Sequence, residues 1–459
     1  MRREARGAAA LVIALTLGAG PAAARTIEAP ARSGAAAAAL AAAAPGDTVE
    51  LLAGVHGGAL VVNRPIVLRG ASGAVVDGGG RGTVVVVTAS GATLEGFEVR
   101  GSGRRVITVD SGVRVSAATG VTLRDLRLND VLYGIYGERA GGLRVERCAL
   151  SGRVRPLDET GEGNGIHLWY TDDAVILDGD VQRFADAVYL SFANRTRVRG
   201  THLHDNGRYG LHTMYCQANR LEENVFTRNV AGCAIMFSNR LEVRHNDLVR
   251  NRGPRTYGLL LRDCSEGRFE RNRLVDNTIA VFLDNSNRNR FEDNLLQDNG
   301  WGLLVFSSSA GNVFAGNAFL NDDYAVALDM RRTSNQFDDG RRGNYWSAHA
   351  AYDLDGDGVG DTPYGPVTAF AFVSRQYPDL AVLAKSPAVA ALAVAERVFP
   401  AMNPSQALDR FPLVSLPPLA RAGAGAGGAA SPSPSGPAAA GFLALAAAGA
   451  AGMFLGRRP

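Results

Sequence analysis

Gly210-Leu211-His212-Thr213, in which a small residue opens a run of alternating apolar side chains, is one copy of a unit that recurs along the chain. Tyr133-Gly134-Ile135-Tyr136, Gly165-Ile166-His167-Leu168 and Ala187-Val188-Tyr189-Leu190 precede it, and further copies open at Gly232, Gly258, Ala280, Gly302 and Ala325. Counted from Gly134, the spacings are 31, 22, 23, 22, 26, 22, 22 and 23 residues, with insertions at residues 153–163 and 252–256 filling the two long gaps. A strand-type alternation repeated at about 22 residues is one turn of a solenoid. It predicts an all-β chain wound as a right-handed parallel β-helix, with an N-terminal capping helix and a small C-terminal helical region.

Parallel rungs stack about 4.8 Å apart, so a sequence offset becomes a column in space. After each Gly or Ala, the first and third residues (Leu211 and Thr213, Cys233 and Ile235, Leu259 and Leu261) are expected to point inward, and the second, fourth and sixth toward solvent. Asn224, Asn246, Asn272, Asn294 and Asn317 form one recurrent column, and Asn229, Asn251, Asn277 and Asn299 a second one five residues later. Asparagine tolerates left-handed backbone and bonds locally, so these read as turn positions whose amides stack between rungs.

Arg2, Arg3 and Arg6, an apolar run over residues 8–18 and Ala22-Ala23-Ala24 read as a signal peptide over residues 1–24. The alanine tract of residues 33–44, halted by Pro45-Gly46, places a capping helix and linker within 25–47, followed by the β-helix over 48–346. An Asp-rich loop then covers 347–366 and a helical region 367–418, with helices expected over 378–385 and 387–398. Residues 419–437 are a linker rich in Ala, Gly, Ser and Pro, and 438–459 an apolar tail closed by Arg457 and Arg458 that reads as a membrane anchor or sorting segment. With a net charge of +3 and no basic block, the sequence carries no footprint of nucleic-acid binding.

Chemistry is sought on the outward columns. His212, Met214 and Cys216 lie at i, i+2 and i+4 of one strand, with Met236 a rung away from Met214 and His167 in the His212 column. Thioether, thiol and imidazole converging on one patch suit copper(I). The four cysteines are expected as free thiols, since Cys216 and Cys264 are two rungs apart. His202 and His204 read as solvated polar residues near a turn. Asp353, Asp355, Asp357 and Asp361 occupy positions 1, 3, 5 and 9 of a calcium loop, with the Val359 carbonyl at 7, but Tyr364 stands where the bidentate Glu belongs. A carbohydrate-binding or carbohydrate-active β-helix of the cell envelope is the rival reading, resting on outward Asp284 and Asp329 two rungs apart; Phe306 lies between them and no third carboxylate completes a site.

Several motifs carry a family resemblance: Arg208-Tyr209-Gly210-Leu211-His212-Thr213-Met214-Tyr215, Ala234-Ile235-Met236-Phe237-Ser238, Tyr257-Gly258-Leu259-Leu260-Leu261, Gly343-Asn344-Tyr345-Trp346 and the Asp-rich segment 353–364. Together with Val398-Phe399-Pro400 through Phe411-Pro412-Leu413, they resemble the NosD family, periplasmic maturation factors of nitrous oxide reductase with a pectate-lyase-like solenoid fold. The likeness runs from residue 44 to about residue 416. It implies a non-enzymatic accessory protein that assists copper delivery to the reductase. Its implied partners are the reductase, the ATPase and membrane subunits of an ABC-type transporter and a copper-binding lipoprotein. The implied place is the periplasm, tethered here to the inner membrane by the tail.

Overall fold

The computed structural model describes residues 24–419 except 254, 331, 378–379, 381–382, 384–385 and 399–406. The expected signal peptide, the linker beyond residue 419 and the apolar tail lie outside the described residues. No helix among the described residues is long and apolar enough to cross a membrane.

Between the end strands of each sheet, every strand pairs in parallel with the strand one turn earlier and one turn later, forming three long sheets of 12, 13 and 13 strands. One rung shows the pattern. Tyr209–Met214 lies in the first sheet, Arg220–Glu222 in the second and Val225–Thr227 in the third, before Ala231–Met236 returns to the first. Register is strict: Leu211 pairs with Val188 and Cys233, and His212 with Tyr189 and Ala234. The chain is therefore a parallel β-helix, and sequence offset does become column.

The inward columns form one continuous core. Ile135, Ile166, Val188, Leu211, Cys233, Leu259, Val281, Leu303 and Val326 follow one another with at most 2% exposure. Phe269, Phe291 and Phe314 stack at centroid separations of 4.6 and 4.9 Å in a neighbouring column. The opening small residue also points inward: a Cβ on Gly210 would meet the Gly232 carbonyl oxygen at 2.6 Å and the Phe226 ring at 2.9 Å. Two successive inward positions break the strand alternation there, so the residue before the glycine, Tyr209 in this rung, joins the outward face. It lies edge-on to His212 at 5.0 Å.

The asparagines stack as ladders. Each Oδ1 accepts the backbone N–H and the side-chain amide of the Asn one rung earlier, as Asn294 does from Asn272 at 2.9 and 3.0 Å. Each amide also donates to a core-side carbonyl, Asn272 to Val243 at 2.8 Å. The left-handed residue is not the Asn but the one before it: Glu223, His245, Arg271 and Asp293 have φ of 57, 56, 53 and 57°. One such residue reverses the chain direction locally, and the following side chain is thrown into the interior. There its amide is buried, and the ladder satisfies it completely. The first ladder ends on Asn344, whose N–H donates to Asp409 Oδ2 at 2.7 Å. The second ends on Asp322, which accepts from Asn299 N–H at 2.8 Å.

The ends are covered. Helix Ala35–Ala42 packs Ala36, Ala39 and Leu40 over the first rungs. Helix Ala369–Gln376, N-capped by Thr368, lies against the last strand of the first sheet, bringing Phe370 to 5.9 Å from Tyr324. A second C-terminal helix spans Pro387–Val398. The helix expected over 378–385 falls largely outside the described residues, and the Thr368 cap upstream was the signal that reading passed over.

Candidate metal centre

Four adjacent strands of the first sheet build the candidate site: Asn164–Trp169, Asp186–Ser191, Tyr209–Met214 and Ala231–Met236. Register aligns His167, Tyr189 and His212 in one outward column, and Ser191, Met214 and Met236 in the next. His212, Met214 and Met236 thus share one wall on the outer face, as the spacing requires. The rings stack along the column, His167 to Tyr189 at 4.6 Å and Tyr189 to His212 at 4.7 Å. Tyr189 Oη donates to the Met214 sulfur at 3.3 Å.

This face is far less open than strand alternation suggests. His212 is 8% exposed, and beyond it Ala234, Leu260, Phe282, Leu304 and Ala327 run as a buried apolar line on the outside of the sheet. Flanking side chains close over it, notably Tyr209, Tyr257, Ile279 and Trp301 at the position before each glycine or alanine.

Asp186 occupies that same position in its rung and is fully buried. Its Oδ2 takes the His212 Nδ1 proton at 3.1 Å, and Arg208 clamps both of its oxygens at 3.1 and 2.9 Å. A neutral histidine whose Nδ1–H is given to a carboxylate keeps its lone pair on Nε2. In His212 that Nε2 is buried and has no protein partner. Metal-binding imidazoles are oriented by a second carboxylate in this way. Asp186 was not singled out from the sequence, although an acid at the position before the small residue, where other rungs carry Tyr133, Tyr209, Tyr257 or Trp301, marks it. His167 is held neutral by burial, which lowers its pKa to about 4, partly opposed by Asp186 and reinforced by His212. Asn164 Nδ2 lies 3.3 Å from its Nδ1.

Cys216 does not belong to this surface. Tyr215 has φ of 57°, so the side chain after it turns inward, and Cys216 sits in the core with 0% exposure. Its thiol donates to the Leu190 and Met214 carbonyls at 3.5 and 3.4 Å, and burial pushes it up to about 11. Cys264, after left-handed Asp263, behaves alike. All four cysteines are buried and free.

The Asp-rich turn brings ligand oxygens of Asp353, Asp355 and Asp357 within 4.8 Å of one another. Backbone amides fill much of that carboxylate capacity: Gly356 and Gly358 donate to Asp353 at 2.7 and 2.9 Å, and Val359 to Asp357 at 2.8 Å. Asp361 instead accepts the Leu354 N–H at 2.6 Å, and Val359 is drawn into a bridge with Leu413. Of the four expected carboxylate ligands, Asp353, Asp355 and Asp357 are therefore gathered and Asp361 is not. Of the two acids behind the carbohydrate reading, Asp284 is paired with Arg262 at 3.0 Å.

A family model described as "Periplasmic copper-binding protein (NosD)" matches residues 151–351, the stretch that contains the whole candidate site. The protein of Pseudomonas aeruginosa named "Probable ABC transporter binding protein NosD" is 31% identical over 385 residues, covering 80% of this chain and 88% of that one. Its namesake from Stutzerimonas stutzeri is 28% identical over 386 residues, covering 80% and 87%. Among solved structures, the family 28 exopolygalacturonase of Yersinia enterocolitica superposes over 69% of this chain and 79% of its own with a TM-score of 0.52; at 10% identity, the likeness is one of fold. With 31% identity over 80% of this chain and 88% of that relative, and with the family's matched segment containing the His–Met wall, the chain belongs to the NosD family.

Proposed function

We propose that this chain is a periplasmic, non-enzymatic accessory protein that works with an ABC-type transporter in assembling the copper centres of nitrous oxide reductase. The names of the relatives and the family description support the transporter and copper parts of this reading. In it, His212, Met214 and Met236 contact copper(I), with His167 as a further donor, and a copper lipoprotein and the reductase are donor and recipient. The carrying observation is His212 Nε2, a buried ring nitrogen without a protein partner, on a ring fixed by Asp186. Leaving such an atom unpaired costs about 1–3 kcal/mol, a cost that a bound cation removes. Thioethers beside it select a soft, monovalent metal. The tail of residues 438–459 holds the protein at the inner membrane, and the Asp353 turn is a weak structural calcium site at most.

The test is a copper(I) competition titration of the purified protein, wild type against His212→Ala and Met214→Leu. Loss of one equivalent, or weakening by roughly tenfold or more, is expected. Unchanged stoichiometry and affinity in both variants would remove these side chains from copper handling.

A further inference from the structure

A second cluster lies on the outer face of the third sheet, where the sequence alone suggested only solvated polar residues. Strand Asp180–Gln182 stacks under strand His202–His204, with Asp180 directly beneath His202 and Gln182 beneath His204. His202 Nδ1 and His204 Nε2 both lie 3.3 Å from the same oxygen, Asp180 Oδ2. Three ligand atoms on the corners of a tetrahedron, each about 2.0–2.1 Å from a central ion, are separated by about 3.3 Å. We propose that Asp180, His202 and His204 form a site for a divalent transition-metal ion, bound through one carboxylate oxygen and two imidazole nitrogens.

The surroundings fit that role. His204 Nδ1 lies 2.6 Å from Asp205 Oδ2, and Arg228 Nε holds Asp205 Oδ1 at 2.6 Å. With its Nδ1 proton committed to Asp205, a neutral His204 presents the Nε2 lone pair to Asp180, and two acceptors then face one another unless a cation stands between them. A proton on His204 Nε2, with His202 donating its Nδ1–H, closes these contacts without a metal, and the two rings stack at 4.0 Å and 19°. One divalent cation satisfies the carboxylate and both rings at once. His204 is 10% exposed and anchors the site from within, whereas His202 and Asp180 are 41% and 45% exposed and leave the outer side open to water or a further donor.

The donor set distinguishes this cluster from the His–Met wall. Two imidazoles and a carboxylate suit zinc(II), copper(II) or nickel(II), with copper(II) bound tightest of the three, and lack the sulfur that selects copper(I). The two sites lie on different sheets and share no residue.

Calorimetric titration of the full chain with zinc(II), and electron paramagnetic resonance of its copper(II) form, test the assignment. Wild type is expected to bind one zinc equivalent that His202→Asn and Asp180→Asn each lose or weaken by roughly tenfold or more, while His212→Ala retains it. Asp205→Asn should keep the stoichiometry and weaken affinity by roughly 10–100-fold, as loss of an orienting carboxylate does. The copper(II) spectrum of wild type should show coupling to two nitrogens. His202 and Asp180 are half exposed, and circular dichroism of their variants verifies the fold. The proposal is overturned if wild type shows no saturable zinc binding, or if folded His202→Asn or Asp180→Asn binds zinc as wild type does.

Discussion

Asp322 ends the second asparagine ladder, and replacing it by Asn should stabilise the protein in a way that depends on pH. In the rungs before it, each ladder amide donates to a core-side carbonyl: Asn277 to Leu248 and Asn299 to Leu274, both at 2.9 Å. Asp322 keeps the acceptor half of the pattern, taking the Asn299 N–H and side-chain amide at 2.8 and 2.9 Å on Oδ1. Its Oδ2, where the donor should be, is sealed from solvent without a partner. By register the carbonyl waiting for that donor is Leu296, the rung mate of Leu274. Only a protonated carboxyl can serve it. Burial accordingly pushes the Asp322 pKa from 3.8 up to about 7, against the pull of the Asn299 bonds and with help from Asp298 and Asp323.

Between pH 4 and 7 the unfolded chain releases this proton while the folded chain keeps it, so stability falls as pH rises, by about 1.4 kcal/mol per unit. The full interval amounts to about 4 kcal/mol, and about 2 kcal/mol is the safer figure because part of the side chain meets solvent. Asp322→Asn is isosteric, supplies the missing donor and removes the titration. The variant should match wild type near pH 4 and exceed it by about 2–4 kcal/mol at pH 8. In a solenoid the gain is concentrated in neighbouring rungs. Hydrogen exchange at the Asn299 amide, measured at pH 5 and pH 8 alongside urea unfolding, reads it directly. Equal stability at pH 8, or a difference that does not change with pH, would refute a carboxyl held protonated by the ladder.

Asn272→Ala removes a mid-ladder amide that donates to Val243 and Asn294. It leaves buried carbonyl and amide groups unpaired, and should cost about 2–4 kcal/mol in urea unfolding. Gly210→Ala forces a methyl against the Gly232 carbonyl, and should cost about 1–3 kcal/mol by thermal melting; wild-type stability would show that the small-residue column is not steric in origin. No cysteine should react with a thiol reagent at pH 8 in the native state, and all four should react in denaturant, because each is buried and unpaired. His167, neutral down to about pH 4 when folded, binds a proton near pH 6.5 when unfolded, so its contribution is complete above pH 6.5 and is lost as pH falls toward 4. An imidazole resonance for His167 that titrates near 6.5 in the folded protein contradicts this.

The period near 22 residues was enough to specify rungs, columns and the wall shared by His212, Met214 and Met236, because parallel stacking converts interval into position. The asparagine ladders were legible for the same reason. What alternation could not supply is the reversal made by a single left-handed residue. Tyr215 turns Cys216 into the core and Glu223 does the same for Asn224, and nothing in either residue type announces a positive φ. The Asp186 clamp on His212 and the union of Asp180 with His202 and His204 each join residues more than 20 positions apart. Side-chain direction at a rung's edge depends on bulges and left-handed residues, which are set by packing against the rungs above and below. The repeat therefore determined which residues occupy the same level of the wall, and the folded stack alone decided which of them touch.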